Sequence, residues 1–219
     1  MKLTNAQIAA IARENGLEPA LLAAVVEVEA AGSGFVDAKP KILFEPHIFY
    51  RRLGEMGYKS LREKMRQVAP HLIYPLWRTY PYGKLSAQHQ RLEAAINALF
   101  LVLPSLDKNT PEDKKIIDDV RAAALESCSW GLGQVMGFHW RALGYASLQE
   151  FVNAMYTSEA LQLSAMCRFM KKNGLFRPLK SYDWKGFARG YNGVGYAKNR
   201  YDVKLAAAYA KHRFSYDTA

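Results

Sequence analysis

The sequence predicts a mainly α protein with at most a small β-hairpin. Apolar residues recur at helical spacing through most of the 219 residues, capping signals precede several of those stretches, and one short run, 41–45, reads as a strand. Half of the chain is apolar, which is ample for a buried core.

The elements follow in order. Thr4 and Gln7 form a capping box ahead of Ile8, Ile11 and Ala12, and Gly16 closes this first helix. Pro19 suits the first turn of the next helix, read as running to Ala31. Leu21, Leu22, Val25, Val26 and Val28 make it apolar almost all round, as in a helix at the centre of a domain. Gly32 and Gly34 break it, the 41–45 strand follows, and 47–53 and 60–69 read as shorter helices. Residues 74–83 form a proline-interrupted loop carrying Trp77, Tyr80 and Tyr82. Helices are predicted at 86–103, 111–127, 147–155, 158–172 and 196–214, with Ser147 and Glu150 as a second capping box. The best hinge is 106–111, but neither side looks independent, so 1–219 reads as a single domain.

Composition excludes more than it selects. Lys and Arg total 30 against 20 Asp and Glu, a net charge of +10 that attracts nucleic acid, anionic lipid and acidic polymers alike. The cations are dispersed in short pairs such as Arg51–Arg52, without the compact cluster of a specific nucleic-acid site. No apolar run approaches the ~20 residues of a membrane-spanning helix, and residues 1–15 lack the apolar block of a secretory signal, so a cytosolic start is expected. Cys128 and Cys167 are too few for a disulfide scaffold and read as buried thiols. The five histidines show no i,i+4 pairing, and neither a Gly-x-Ser-x-Gly elbow nor a complete dinucleotide fingerprint occurs. Neither a metal nor a cofactor is expected.

The anomaly is a pair of acids, Glu27 and Glu29, at the end of the most apolar helix. At about 100° per residue they point to nearly opposite sides. Glu29 shares its side with Leu22, Val25 and Val26, whereas Glu27 stacks over alanines, so Glu29 is the more desolvated candidate. Burial and the negative end of the helix dipole both raise a carboxyl pKa, as a general acid requires. The competing reading is a solvated residue in a fraying last turn. Glu45, ending the strand before Pro46, is the candidate for a second carboxylate; its charge at a helix N-terminus is the structural alternative. Asp37 is a weaker candidate, since loop aspartates mostly make turns.

The residues here reach a resemblance. Val28-Glu29-Ala30-Ala31-Gly32-Ser33-Gly34-Phe35, followed by Lys41-Ile42-Leu43-Phe44-Glu45-Pro46-His47-Ile48-Phe49-Tyr50, resembles the N-acetylmuramidase family of phage endolysins, with a lysozyme-like helical fold. Ser129-Trp130-Gly131-Leu132-Gly133-Gln134 is similar to the Ser-x-Gly-Leu-x-Gln block of goose-type lysozymes and soluble lytic transglycosylases, and Tyr191-Asn192-Gly193 to their Tyr-Asn-Ala-Gly block. Ala30 departs from the usual Ser, and Val194 interrupts the glycines after Asn192.

The resemblance implies that Glu29 protonates the glycosidic oxygen between N-acetylmuramic acid and N-acetylglucosamine in peptidoglycan. Glu45 would stabilise charge or activate water, and Gln134, at a helix start, Tyr191 and Asn192 would bind substrate or orient Glu29. No separate wall-binding module is recognisable in the sequence and a monomer is expected, while the resemblance implies that the protein is held in the host cytoplasm until a holin-type pore releases it to the wall. The alternatives are a lytic transglycosylase of the same fold and, of another class, a non-enzymatic basic protein that binds membranes or nucleic acid. Trp77, Tyr80, Tyr82, Trp130 and Tyr196 are candidates for stacking on sugars. The basic last helix is a candidate for contact with anionic envelope lipids, with Leu205, Tyr209 and Phe214 packing onto the core.

Overall fold

The structure, a computed structural model that describes residues 3–30 and 32–216, is mainly α, with strands confined to two small sheets. Among the described residues no helix is long and apolar enough to cross a membrane. The chain divides into two compact units: Met1–Pro40 with Gly131–Val135 and Asn153–Ala219, and Lys41–Trp130 with Met136–Val152.

In the first unit, α1 (Asn5–Glu14) begins with the Thr4–Gln7 capping box, both of whose hydrogen bonds form. The next helix, α2 (Pro19–Glu29), starts on its proline and buries Ala20 to Val25, so the all-round apolar pattern does mark a central helix. It packs against α1 and against the last helix, α11 (Tyr201–Tyr216). The helix ends at Glu29, with Ala30 as C-cap still donating its amide to the Val26 carbonyl, and the predicted end at Ala31 lies outside the described residues. An antiparallel hairpin follows, β1 (Phe35–Val36) on β2 (Lys39–Pro40), turned by Asp37 and Ala38 at φ 49° and 61°. A two-residue turn with both φ positive matches the twist of a tight hairpin, which gives Asp37 a turn role.

The same unit continues through α8 (Glu159–Lys172), capped by Ser158, then α9 (Phe176–Lys180) and α10 (Trp184–Asn192), capped by Asp183. The sequence analysis assigns no helix between 172 and 196, because α9 is five residues long with a proline inside it and α10 is short and carries two glycines, so neither gives a clear periodic signal. The last helix begins later than predicted, after a 3₁₀ stretch at Val194–Asn199. It seats Leu205 and Ala208 in the core, but Phe214 is 68% exposed and does not pack there as predicted.

The second unit holds β3 (Ile42–Phe44), α3 (Pro46–Glu55), α4 (Lys59–Val68), α5 (Gln88–Val102), α6 (Pro111–Glu126) and β4 (Cys128–Trp130). The strand read at 41–45 pairs antiparallel with β4, Ile42 opposite Trp130 and Phe44 opposite Cys128. Local periodicity cannot announce a partner that far along the chain. The chain passes between units within β5 (Val135–Met136) and again within α7 (Leu148–Thr157). Both cysteines are free and buried.

Two buried polar residues at the start of α8 brace the first unit. The Glu159 carboxylate accepts from the Leu3 amide at 2.7 Å, the Ser33 hydroxyl at 2.8 Å and the Gly34 amide at 2.7 Å. Gln162 accepts from the Leu132 amide at 3.0 Å and donates to the Gly34 and Met155 carbonyls at 3.2 and 2.8 Å. A buried polar group is stable only when paired in this way. Burial pushes the Glu159 carboxyl up, but the bonds from Gly34, Leu3 and Ser33 outweigh it and hold its pKa below the ordinary value.

A depressed native pKa adds stability that is complete above the ordinary carboxyl range and is lost as pH falls through the lowered value. Glu159→Gln is therefore expected to destabilise the fold by about 1–3 kcal/mol at pH 7. Urea titrations at a series of pH values should show the gap to wild type closing on acidification below about pH 4.

Candidate active site

The two acids that end α2 have opposite surroundings, as their helical phase requires. Glu27 is exposed and ion-paired on α11, with Lys211 Nζ and His212 Nε2 each 2.8 Å from its Oε2. The hydrogen bond from Lys211 is the main reason its pKa lies below the ordinary value. Glu29 is half-buried, and the Asn192 side-chain amide donates to its Oε1 at 2.8 Å. Burial raises the Glu29 pKa; the Asn192 bond and the charge of Lys204 pull the other way without cancelling it. Its place in the last turn of α2 adds the negative end of the helix dipole to the burial effect. The result is a carboxyl that holds its proton more tightly than an ordinary Glu yet is fixed in direction by an amide.

Asn192 is the last residue of α10, and its neighbour Tyr191 reaches the glycine-rich turn. The Tyr191 ring stacks on Phe187 with centroids 5.7 Å apart, and its hydroxyl donates to the Gly133 carbonyl at 3.0 Å. Burial, followed by the nearby Glu29 charge, raises the phenol pKa far above its usual value and keeps it a donor. One turn of α10 thus holds both Glu29 and residues 131–134, so three blocks separated in sequence meet within the first unit.

Gln134 departs from the predicted helix start: it sits in a turn at φ 47°, and its side-chain amide donates back to the Gly131 carbonyl at 2.8 Å. The glycines before it have a packing reason that the sequence did not reveal. A Cβ on Gly131, itself at φ +66°, would lie 2.7 Å from the Gln162 side chain, and one on Gly133 would lie 2.7 Å from Met166.

Glu45 belongs to the second unit, as the residue before α3. Although it occupies the N-cap position, its side chain bonds no helix amide. The Tyr82 hydroxyl donates to its Oε2, and His47 Nδ1 lies 3.5 Å from the same oxygen. Burial lowers the His47 pKa against the attraction of Glu45, so the imidazole is neutral near pH 7. The Tyr82 partnership was not legible in the sequence, which offered Tyr82 only as a stacking aromatic. Among the other aromatics, Trp130 is 1% exposed and packs edge-on against Phe151 in the core, while Trp77 is 61% exposed. Among the described residues no group of three or more His, Cys, Asp or Glu side chains is arranged to hold a metal ion.

A family model described as N-acetylmuramidase matches residues 18–213, and the chain belongs to that family of peptidoglycan-cleaving enzymes. Among solved structures, the crystal structure of the Burkholderia AP3 phage endolysin is similar, with 36% sequence identity and a TM-score of 0.79. The match covers 99% of this chain and 72% of that one. No curated protein matches.

The Asn192 bond favours the ionised form of Glu29, so removing it should move the Glu29 pKa further upward. We expect Asn192→Ala to show this directly when the Glu29 side-chain carboxyl is titrated by carbon-detected NMR; an unchanged or lower value would contradict the electrostatic account.

Proposed function

We propose that the protein is an endolysin-type N-acetylmuramidase that hydrolyses the β-1,4 bond between N-acetylmuramic acid and N-acetylglucosamine. Glu29 is the general acid and Glu45 the carboxylate that activates water or stabilises charge. The observation that carries this reading is the half-buried, amide-held Glu29 with its raised pKa. A sugar alkoxide leaves poorly, so a carboxyl whose pKa is raised by burial lowers the barrier by donating its proton to the bridging oxygen. Water then adds to the anomeric carbon, its proton passing to the second carboxylate.

In this reading Asn192 orients Glu29, Tyr191 fixes the turn that presents Gln134, and Gln134 meets the substrate's polar groups. Both compact units serve one catalytic domain, a view supported by a family match that runs through both. The net charge of +10 favours approach to an acidic wall and to anionic envelope surfaces. We propose that the enzyme acts as a monomer and that release through a holin-type pore brings it to its substrate, as the likeness to a phage endolysin suggests.

Glu29→Gln should stay folded and lose about 10²- to 10⁴-fold in turnover of purified sacculi, the range that general acid catalysis supplies. Wild-type activity in a folded Gln variant would refute the assignment. Mass spectrometry of the wild-type products should show ends carrying the added mass of water. Anhydromuramoyl ends would instead mean that the sugar's own hydroxymethyl oxygen attacks, making the enzyme a lytic transglycosylase.

A further inference from the structure

The arrangement around Glu45 is more constrained than a helix-capping acid needs. Its Oε2 is engaged by the Tyr82 hydroxyl, whereas Oε1 accepts no hydrogen bond among the described residues, and the side chain is 16% exposed. The backbone on either side is fixed: the Glu45 amide donates to the Ser127 carbonyl at 2.9 Å, and the Phe44 amide donates to Gln88 Oε1 at 3.2 Å. Gln88 is fully buried, and its Nε2 donates to the Tyr82 and Lys84 carbonyls at 2.7 and 3.1 Å. A single buried amide therefore ties the loop that carries Tyr82 to the strand that delivers Glu45. A further neighbour, His47 Nδ1, is buried and makes no hydrogen bond among the described residues.

We propose that Tyr82 is the positioning residue for Glu45: its phenol pins Oε2 so that Oε1 is presented to water, and Gln88 holds the loop in the register that lets the phenol reach. This rests on the reading of Glu45 as the carboxylate that activates water. The phenol is suited to the task, since burial, followed by the Glu45 hydrogen bond, keeps it protonated far above neutral pH. It therefore donates throughout the working range. A carboxylate free to rotate would spend much of its time with neither oxygen aimed at the nucleophile, and misplacement of about 1 Å can cost about 100-fold in rate.

The test is Tyr82→Phe in the full chain, which removes one oxygen and keeps the ring. Turnover of soluble, uncross-linked glycan strands should show kcat reduced about 10- to 100-fold with KM within about twofold of wild type. In a Glu45→Gln background the same change should have no further effect, because Tyr82 acts through Glu45. A crystal structure of the Tyr82→Phe chain should show the Glu45 carboxylate rotated from its wild-type position. Unaltered kcat, an equal loss in both backgrounds, or an unmoved carboxylate would each overturn the proposal. If Glu45→Gln alone were fully active while Glu29→Gln was dead, the water-activating reading of Glu45 would fall and this inference with it, leaving the Glu29 assignment standing.

Discussion

The hydrogen bond from Asn192 to Glu29 is the interaction on which the site depends. A carboxyl buried without a partner drifts toward permanent neutrality, and one exposed to water ionises well below neutral pH. Glu29 lies between these limits because burial raises its pKa while one amide and a more distant lysine restrain the rise. The same amide fixes where the carboxyl points, so electrostatics and geometry are set by one side chain.

That side chain is delivered by architecture at several levels. The apolar α2 is gripped by α1 and α11, which fixes the rod whose last turn carries the acid. The end of α10 supplies Asn192, and Tyr191 anchors that end through its hydroxyl bond to Gly133 and its edge-on contact with Phe169 of α8. Glu27 marks the other side of the rod, where pairing with Lys211 and His212 fastens α11 at an exposed edge. Two acids two residues apart thus meet unlike surroundings, one paired across helices at the surface and one half-buried and held by an amide.

How much of this was legible in the sequence depends on the range of the interaction involved. The capping box at Thr4, the central character of α2 and the contrast between Glu27 and Glu29 follow from spacing within a few residues, and all are present in the structure. The family resemblance points to Gln134, Tyr191 and Asn192, but not to the bonds they make; Gln134 sits in a turn at positive φ, with its own side chain bonded back to Gly131, instead of at a helix start. The pairing of β3 with β4, the short α9 and α10, and the meeting of Tyr82 with Glu45 depend on chain brought together from a distance. The exposure of Phe214 shows the reverse limit: nine residues beyond the buried Leu205 it falls on the opposite side of α11, so an apolar residue near a helix end need not share the core-facing side.

The glycines around Gln162 have a consequence for how such a protein can vary. A Cβ on Gly34 would lie 1.9 Å from Gln162 Oε1 and one on Gly131 2.7 Å from the same side chain, while Gln162 itself bonds the backbone at Gly34 and Leu132. Bulk at either glycine would displace the glutamine that braces both loops, so a change at one of these positions is felt at the others. Grafting the hairpin or the 131–134 turn into another scaffold would have to bring the glutamine along, since the two loops share a single keystone.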